Sequence, residues 1–160
     1  MNESMDNSGQ IKRQFITFWL DEQEFGADIM SIREIRGWTA TTELPHAPHY
    51  VLGVINLRGM VLPVIDLKAR LGRGRTKATV KNVIIVVRCA EQTMGVLVDA
   101  VSDILSVTES DVQVTPELAR DADSEFVAGI AVLDQRMVTI LSMERLAATL
   151  VAQPKIGQAA

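Results

Sequence analysis

The side chains best suited to chemistry in this 160-residue chain are two histidines, one cysteine and two neighbouring aspartates. His46 and His49 have a spacing that metal sites use, but no cysteine or carboxylate cluster lies near them in the sequence. Cys89 has no neighbouring base to activate it as a nucleophile, which favours a small core residue. Asp99 and Asp103 lack a second carboxylate pair or a lysine for acid–base work, and are expected to be solvated or capping groups. These residues therefore predict no enzyme, metal site or cofactor.

A second candidate is the glycine- and arginine-rich stretch that begins at Gly72. It is not a phosphate-binding loop, because it lacks the preceding strand, the Lys-Ser/Thr pair and the following helix. Its cations are predicted to form a solvated basic loop without an assigned role. They are Arg70, Arg73, Arg75, Lys77 and Lys81. With no catalytic pattern in the sequence, an interaction module is the default interpretation.

Composition limits the class of protein. Apolar residues make up 48% of the chain, enough for a core without disulfides, and the single cysteine indicates a reducing compartment. A net charge of −4 and an aromatic content of 4% disfavour binding to nucleic acid. No apolar run approaches the roughly 20 residues of a membrane span, and the polar residues 1–10 lack the pattern of a signal peptide. A cytosolic protein is expected, which would reach a membrane only through other proteins.

The centre of the chain is the stretch Gly53-Val-Ile-Asn-Leu-Arg-Gly-Met-Val-Leu-Pro-Val-Ile-Asp-Leu67. It predicts two strands joined by a tight turn, where Gly59 supplies the freedom to adopt a positive φ. Asn56 interrupts an apolar strand, and Arg58 stands at the tip with no oppositely charged neighbour in sequence. Either both are turn residues that face water, or they form the rim of a contact surface.

Further elements follow from composition and periodicity. Strands are predicted over residues 15–20, 24–27, 83–87, 93–101, 126–133 and 137–141. Residues 28–36 fit a helical turn leading into a strand, although the boundary between the two is left open. Residues 38–44 are expected to be extended, and residues 102–125 a polar loop.

Two helices are predicted from their caps. Asp66 is expected to cap a short helix that ends at Gly72, and Ser142 a final helix with one apolar face. Residues 1–13 and 152–160 are polar or contain helix breakers, and are predicted to be flexible tails.

The two halves of the chain resemble each other. A shift of 69 residues places Gly26 on Gly95, and a shift of 76 residues places Gly53 on Gly129. The second shift also superimposes the two predicted helix caps. Paired glycines, paired caps and a common order of hairpin, hairpin and helix indicate an internal repeat. We expect two small β units of about five strands each, packed along a seam and closed into barrels without exposed edges.

Six segments keep a defined order along the chain: Phe25-Gly26, Glu34-Ile35-Arg36-Gly37, Gly53 to Gly59, Pro63-Val-Ile-Asp-Leu67, Gly95-Val-Leu-Val-Asp-Ala-Val-Ser-Asp103 and the closing Gly129 hairpin. In this order they resemble the CheW-like family of chemotaxis coupling proteins. The resemblance covers about residues 14–150, nearly the whole chain.

The resemblance implies a mostly β fold: two tandem five-stranded SH3-like β-barrels packed against each other, with short helices and a C-terminal helix. It implies one domain over residues 14–151. The first subdomain would contain about residues 28–82. The second would contain residues 14–27 and 83–141 through strand exchange, followed by the helix 142–151.

The resemblance also implies a function. Proteins of this family are non-enzymatic adaptors that couple membrane chemoreceptors to the regulatory domain of the histidine kinase CheA, in cytoplasmic arrays beneath the membrane. Other copies of the chain, arranged in rings, are a further expected partner, whereas no cofactor or nucleic acid is implied. Receptor-contact positions fall on Ile32, Glu34, Ile35, Gly53, Asn56, Arg58, Gly59, Val98, Asp99 and Val101. Kinase-contact positions fall on Leu133, Arg136 and Met137 of the last hairpin.

An apolar groove between the two barrels would suit a receptor helix, whose anchors recur at i, i+3 and i+4. Ile32 and Ile35 from one half, with Val98 and Val101 from the other, are candidates for its lining. Arg58 at the rim would add orientation more than affinity. Alternatively, the four apolar residues are ordinary core.

Three other classes of function stay open from the sequence. One is a small-barrel nucleic-acid binder, which would need a basic face. Another is a protein-interaction module of a different kind. The third is an enzyme with an unrecognised site, for which Asp99 or His46 would be the residues to test.

Overall fold

The structure of the protein is a computed structural model, which describes residues 3–5, 11–89, 91–114 and 125–152. The strands in these ranges are β1 (Glu3–Met5), β2 (Ile11–Leu20), β3 (Gln23–Asp28), β4 (Ile32–Gly37), β5 (Val51–Leu57), β6 (Met60–Asp66), β7 (Val83–Cys89), β8 (Gln92–Val98), β9 (Ala100–Thr108), β10 (Val112–Gln113), β11 (Val127–Leu133) and β12 (Arg136–Leu141). The helices are α1 (Leu67–Arg70) and α2 (Met143–Ala152), with 3₁₀ turns at Ile29–Ser31 and Glu109–Asp111.

The strands form two sheets. The first sheet has the order β4-β7-β8-β6-β5, and we call it with α1 the first unit. The second sheet has the order β1-β2-β3-β12-β11-β10, and β9 also pairs with β2. We call this sheet together with α2 the second unit. The prediction of a mostly β fold in two units with few helices is confirmed, but the second sheet has seven strands where about five were expected.

The strand register follows the internal repeat. In the first unit β6 and β8 are parallel, and Val64 pairs with Gly95. In the second unit β12 and β3 are parallel, and Ile140 pairs with Gly26. These pairs are related by the two shifts of 76 and 69 residues that the sequence indicated. The β5–β6 and β11–β12 hairpins also carry a register shift at equivalent places, next to Gly53 and Gly129. The predicted repeat is therefore confirmed.

The buried apolar side chains form three clusters. One lies within the first unit around Leu62 and Ile84, and another within the second unit around Phe15 and Val138. The largest cluster takes side chains from both sheets and from both helices, so that the two units share it. Burial of apolar surface is favourable, so this shared core stabilises the contact between the units.

The pairing of β7 and β8 corrects the predicted division of the chain. Residues 83–98 were expected in the second subdomain, but β7 pairs with β4 and β8 pairs with β6 in the first unit. Among the described residues before β4, it is the strands β1, β2 and β3 that pair in the second unit. The reason is local: β7 and β8 form an antiparallel hairpin that adds directly to the sheet already begun by β4.

Two expected loop or tail regions contain strands. Residues 102–108, predicted as polar loop, continue β9, which pairs with β2. Leu105 and Val107 are buried while their polar neighbours face solvent, the pattern of a half-buried strand that its many polar residues had concealed. Residues 3–5 and 11–13, predicted as flexible tail, pair as β1 and β2. Most of the remaining predicted loop, residues 115–124, lies outside the described residues, as does the tail 153–160.

The helix caps give a mixed result. Ser142 caps α2, because its hydroxyl accepts a hydrogen bond from the backbone N–H of Arg145 at 3.2 Å. Asp66 stands at the N-cap of α1, but its side chain makes no cap hydrogen bond. Its carboxylate instead accepts from the backbone and hydroxyl of Thr76 at 2.7 and 2.6 Å. Gly72, with φ 76°, ends α1 as predicted and donates to the carbonyl of Ala69.

The segment whose state the sequence left open contains both candidates. The 3₁₀ turn Ile29–Ser31 comes first, and Asp28 accepts a hydrogen bond from the backbone N–H of Met30 at 2.8 Å. The strand β4 then begins at Ile32. Residues 38–44 are largely irregular, with one isolated bridge between Thr42 and Val54.

Candidate functional site

The tip of the β5–β6 hairpin carries three of the predicted receptor-contact residues, Asn56, Arg58 and Gly59. Arg58 and Gly59 form the two-residue turn with φ angles of 51° and 88°. The Asn56 side chain accepts a hydrogen bond from the backbone N–H of Gly59 at 2.8 Å, so this amide is a turn residue that faces solvent. Arg58 pairs with Glu34 on β4, a partner 24 residues away that no local reading of the sequence could supply.

Glu34 is the centre of this ion-pair group. It accepts hydrogen bonds from Arg58 and, at 3.4 Å, from Arg36. The hydrogen bond from Arg58 lowers the pKa of the Glu34 carboxyl, and Arg36 adds to the effect. The carboxylate therefore stays charged at any pH near neutrality, and the pair joins β4 to the β5–β6 turn.

Apolar side chains stand exposed on the same two elements. Ile35 on β4 is 45% exposed, and Met60 and Val61 at the start of β6 are 49% and 64% exposed. Large apolar side chains grouped at a surface are typical of protein contacts. We call Glu34, Ile35, Arg58, Met60 and Val61 the hairpin face. Met60 and Val61 were not among the predicted site residues, although two successive apolar residues after a turn break the alternation of a half-buried strand and were a usable signal.

The remaining predicted receptor-contact residues lie elsewhere. Val98 is 1% exposed and belongs to the shared core, so it offers no surface in this structure. Ile32 and Val101 are half-buried and pack against the same core, whereas Gly53 is buried beneath the 38–44 segment. The four apolar residues expected to line a groove are thus mostly core, with Ile35 the exception.

Asp99 takes part in a separate polar group. Its carboxylate lies 3.1 Å from the Lys68 ammonium and accepts a hydrogen bond from the backbone N–H of Asp21 at 2.7 Å. Lys68 also pairs with the Asp21 carboxylate at 2.8 Å. Among the described residues, no hydrogen bond or ion pair connects Asp99 with Glu34 or Arg58, so these predicted site residues form two groups.

The predicted kinase-contact residues surround a second cluster of charges. Arg136, at the start of β12, donates from Nε and Nη2 to the Glu24 carboxylate at 3.0 and 2.6 Å, and from Nη2 to Asp103 at 2.7 Å. Hydrogen bonds from Arg136 and Thr17 lower the pKa of Asp103, and the bonds to Glu24 and then Asp103 raise the pKa of Arg136. Glu24, only 6% exposed, was missed by sequence reasoning because its partner is 112 residues away.

A surface cleft of about 570 Å³ opens beside Arg136, and Trp19, Ser102 and Met137 contribute to its lining. Met137 is exposed, whereas Leu133 packs against the apolar cluster of the second unit. Of the three predicted kinase-contact residues, Arg136 and Met137 thus reach a surface. We call this region the Arg136 cleft.

The hairpin face and the Arg136 cleft occupy equivalent places in the repeat. The shift of 69 residues places Glu34 on Asp103 and the exposed Ile35 on Ile104, which is also exposed. In each unit this carboxylate pairs with an arginine of the neighbouring hairpin. Each unit therefore presents an ion pair beside exposed apolar side chains.

The two histidines are not arranged with other described side chains for catalysis or metal binding. The His49 ring lies edge-on to Tyr50 with centroids 5.5 Å apart, and His46 is exposed. Within the described residues, no group of three or more histidine, cysteine, aspartate or glutamate side chains is arranged to hold a metal ion. Over the same part of the chain, none of the helices has the length and apolar character needed to span a membrane.

Cys89 is expected to be unreactive in the native protein. It is a buried core residue, and burial raises the pKa of its thiol to about 11, with Glu144 and Asp28 adding to the effect. Because the thiolate is the reactive form, alkylation at pH 8 should be at least about 100-fold slower than in urea. Equal rates of iodoacetamide labelling in buffer and in urea would contradict this burial.

Comparisons with known proteins agree on one family. A family model described as the CheW-like domain matches residues 14–151. The chain is 49% identical over 146 residues to a probable chemotaxis protein CheW of Rhizobium etli, which covers 91% of this chain and 94% of that protein. It is also 49% identical to the chemotaxis protein CheW of Rhizobium meliloti, over 82% of this chain and 85% of that one. The crystal structure of the scaffolding protein TtCheW from Thermoanaerobacter tengcongensis matches with a TM-score of 0.74 and 35% identity, over 80% of this chain and 87% of that one.

Proposed function

The chain belongs to the CheW-like domain family, and from that premise we propose that it couples membrane chemoreceptors to a histidine kinase of the CheA type. The match of the family domain to residues 14–151 carries this proposal, together with relatives that share 49% identity and are named as chemotaxis proteins. Chemotaxis coupling by an adaptor is the function these relatives support, and they do not favour a nucleic-acid binder. The adaptor binds its partners and catalyses no reaction. Its binding to the receptors brings it to the receptor arrays.

The finer fold expected from the family is a pair of SH3-like barrels. In the first unit, β4 and β5 are the two edges of the sheet, and the pair between Glu34 on β4 and Arg58 after β5 joins them. In the second unit, Asp103 on β9 pairs with Arg136 on β12. These cross-sheet contacts support closure, which would leave few free strand edges.

The hairpin face is the receptor-contact surface in this proposal. It combines exposed apolar side chains, which provide affinity when buried, with an ion pair that can orient a charged helix. Met60 and Val61 are the main apolar contacts and Arg58 the main polar one, because all three are exposed. Asn56 and Gly59 shape the turn that presents them.

The Arg136 cleft is the kinase-contact surface. Met137 at its margin supplies an exposed apolar contact, and Arg136 and Asp103 supply a basic and an acidic group that solvent reaches, whereas Glu24 is buried behind them. The equivalence of the two surfaces in the repeat would let one chain hold two partners at once, or hold neighbouring copies of itself in a ring.

The test is a reconstitution with purified receptor signalling fragments and kinase. Kinase autophosphorylation and its inhibition by receptor ligand are measured with and without this chain. We expect ligand-controlled phosphorylation only when the chain is present. Phosphorylation that is the same with and without the chain would rule out the coupling role.

The substitution Arg58→Asp should weaken receptor binding by about tenfold or more, because it reverses the charge at the tip and repels Glu34. The fold should persist, since the pair is exposed to solvent and exposed ion pairs contribute little to stability. Pull-down of receptor signalling tips measures binding, and circular dichroism checks the fold.

Lys81→Asp is the matched control, because it makes the same charge change at another exposed cation. The charge swap Glu34→Arg with Arg58→Glu separates two mechanisms. Recovery of binding in the swap would mean that the ion pair itself presents the hairpin, whereas continued loss would mean that the receptor contacts Arg58. Normal pull-down by a folded Arg58→Asp variant would remove the hairpin face from the proposal.

A further inference from the structure

Arg70 and Arg73 of the predicted basic loop are not simply solvated, because their side chains, together with that of Lys68 on α1, reach from the first unit to the second. Lys68 on α1 lies between the carboxylates of Asp21 and Asp99, at the β2–β3 turn and the β8–β9 junction. The Lys68 side chain is only 15% exposed. Burial disfavours the ammonium, but hydrogen bonds to Asp21 and Asp99 outweigh it, so that the pKa of Lys68 is raised. The lysine therefore remains charged in this partly buried position.

The second cation is Arg70, also on α1. Its guanidinium lies 4.5 Å from the ring centroid of Tyr50 in the first unit and 4.4 Å from that of Phe126 in the second. It also lies 3.6 Å from the Glu125 carboxylate. Because the guanidinium is planar and contacts two rings, both its distance from the rings and its orientation relative to them are restricted. A lysine ammonium has no plane and could not restrict the orientation in this way.

The third cation, Arg73, follows the end of α1. Its guanidinium lies 5.2 Å from the ring centroid of Phe25 on β3. The backbone N–H groups of Gly72 and Arg73 donate to Ala69 and Lys68 at 3.1 and 2.8 Å, so the turn that aims Arg73 is itself fixed. The three cations thus reach three separate points of the second unit.

We propose that Lys68, Arg70 and Arg73 form a clamp that sets the angle between the two units. The hydrophobic effect that stabilises the shared core is non-directional, whereas ion pairs and stacked rings have defined geometry and add orientation to the contact. The clamp keeps the hairpin face of the first unit and the Arg136 cleft of the second at one relative orientation. Asp99 acts within the clamp as a positioning residue through Lys68, independently of whether it touches a partner.

The repeat supplies an internal contrast for this clamp. The position equivalent to Arg70 is Leu146 on α2, which is fully buried in the shared core. Both helices contribute apolar side chains to the shared core, but at this position the first unit has a cation where the second unit has a buried leucine. Among the described residues, Arg70 Nε and the Tyr50 hydroxyl are buried without a hydrogen-bond partner, which costs stability. Arg70→Leu should accordingly leave the free energy of unfolding nearly unchanged. It should, however, loosen the relative orientation of the two units.

The test measures the distance between the units. Spin labels are placed at Val61→Cys on β6 and Ile104→Cys on β9 in a Cys89→Ala background, and pulsed dipolar spectroscopy gives the distance distribution. The reference protein should show one narrow distribution. The double variant Lys68→Met with Arg70→Leu should give a distribution whose mean shifts or whose width roughly doubles. The matched control is Arg75→Leu with Lys77→Met, which removes the same charge from the loop that follows α1, and should match the reference.

Each outcome decides the proposal. An unchanged distribution in the double variant, even with a lower urea midpoint, means that the cations only stabilise the contact, and the clamp is overturned. If the double variant fails to fold, Lys68→Met and Arg70→Lys alone serve instead, since Arg70→Lys keeps the charge and loses the stacked plane. Because no receptor or kinase enters the experiment, its result is independent of the proposed coupling function.

Discussion

Gly53→Ala is expected to destabilise the protein by at least about 3 kcal/mol, enough to unfold a marginal domain. Gly53 has a φ of 147°, a backbone conformation that residues other than glycine rarely adopt. A Cβ at this position would lie 2.2 Å from the carbonyl oxygen of Thr42 and 2.7 Å from its carbonyl carbon. Thr42 cannot move away cheaply, because its N–H and carbonyl both hydrogen-bond to Val54, at 2.9 and 2.8 Å. Urea unfolding followed by tryptophan fluorescence measures the change.

The control is Gly37→Ala at the end of β4, where a Cβ meets nothing within 4 Å and φ is not positive. That variant should unfold within about 0.5 kcal/mol of the parent protein. If Gly53→Ala were equally stable, the close approach of the 38–44 segment would be wrong. The family resemblance implies that Gly53 is a receptor-contact position, but the close approach of Thr42 already explains on structural grounds why a glycine is needed there. Binding lost in a Gly53 variant should therefore be compared with its stability before a contact is inferred.

Much of the fold was readable from local signals. The β5–β6 hairpin followed from two apolar segments separated by the turn residues Arg58-Gly59, and α2 from Ser142 and an apolar stripe. The register of the two parallel strand pairs agrees with the predicted repeat, because a duplicated sequence folds into duplicated contacts. Such signals lie within a few residues of one another or recur at a fixed shift.

The errors have a common physical origin. The strand β9 was hidden by polar residues on its solvent side, and only its pairing with β2, about 90 residues away, identifies it. Arg70 looked like a solvated loop cation because its aromatic partners lie 20 and 56 residues away in the chain. Ion pairs and stacked rings between distant residues leave no trace in local spacing, so the clamp and the Arg58–Glu34 pair could not be predicted. The receptor- and kinase-contact residues stay predictions until binding is measured.

Arg136→Met should cost about 2 kcal/mol of stability, the larger part of it because the Glu24 carboxylate loses its bidentate partner. Removing one member of a fully buried pair typically costs about 3–5 kcal/mol, but Arg136 keeps access to solvent at the cleft, which screens the loss. Urea unfolding at pH 7 measures the cost. Arg33→Met, at an exposed arginine of β4 with no ion pair among the described residues, is the control and should change little.

Two further measurements identify the cause of that loss. Glu24→Gln in the Arg136→Met background replaces the unpaired charge by a neutral amide and should recover at least about half of the stability. Arg136 lowers the pKa of Asp103 below its ordinary 3.8, so the stabilising effect of that carboxylate is present above pH 3.8 and is lost as pH falls through the lowered value. The difference in free energy of unfolding between the parent protein and Arg136→Met should therefore decrease as the pH is lowered from 6 to below 3.8. A gap that stays constant with pH, with no recovery in the double variant, would mean that Arg136 acts by packing its stem rather than by its charge.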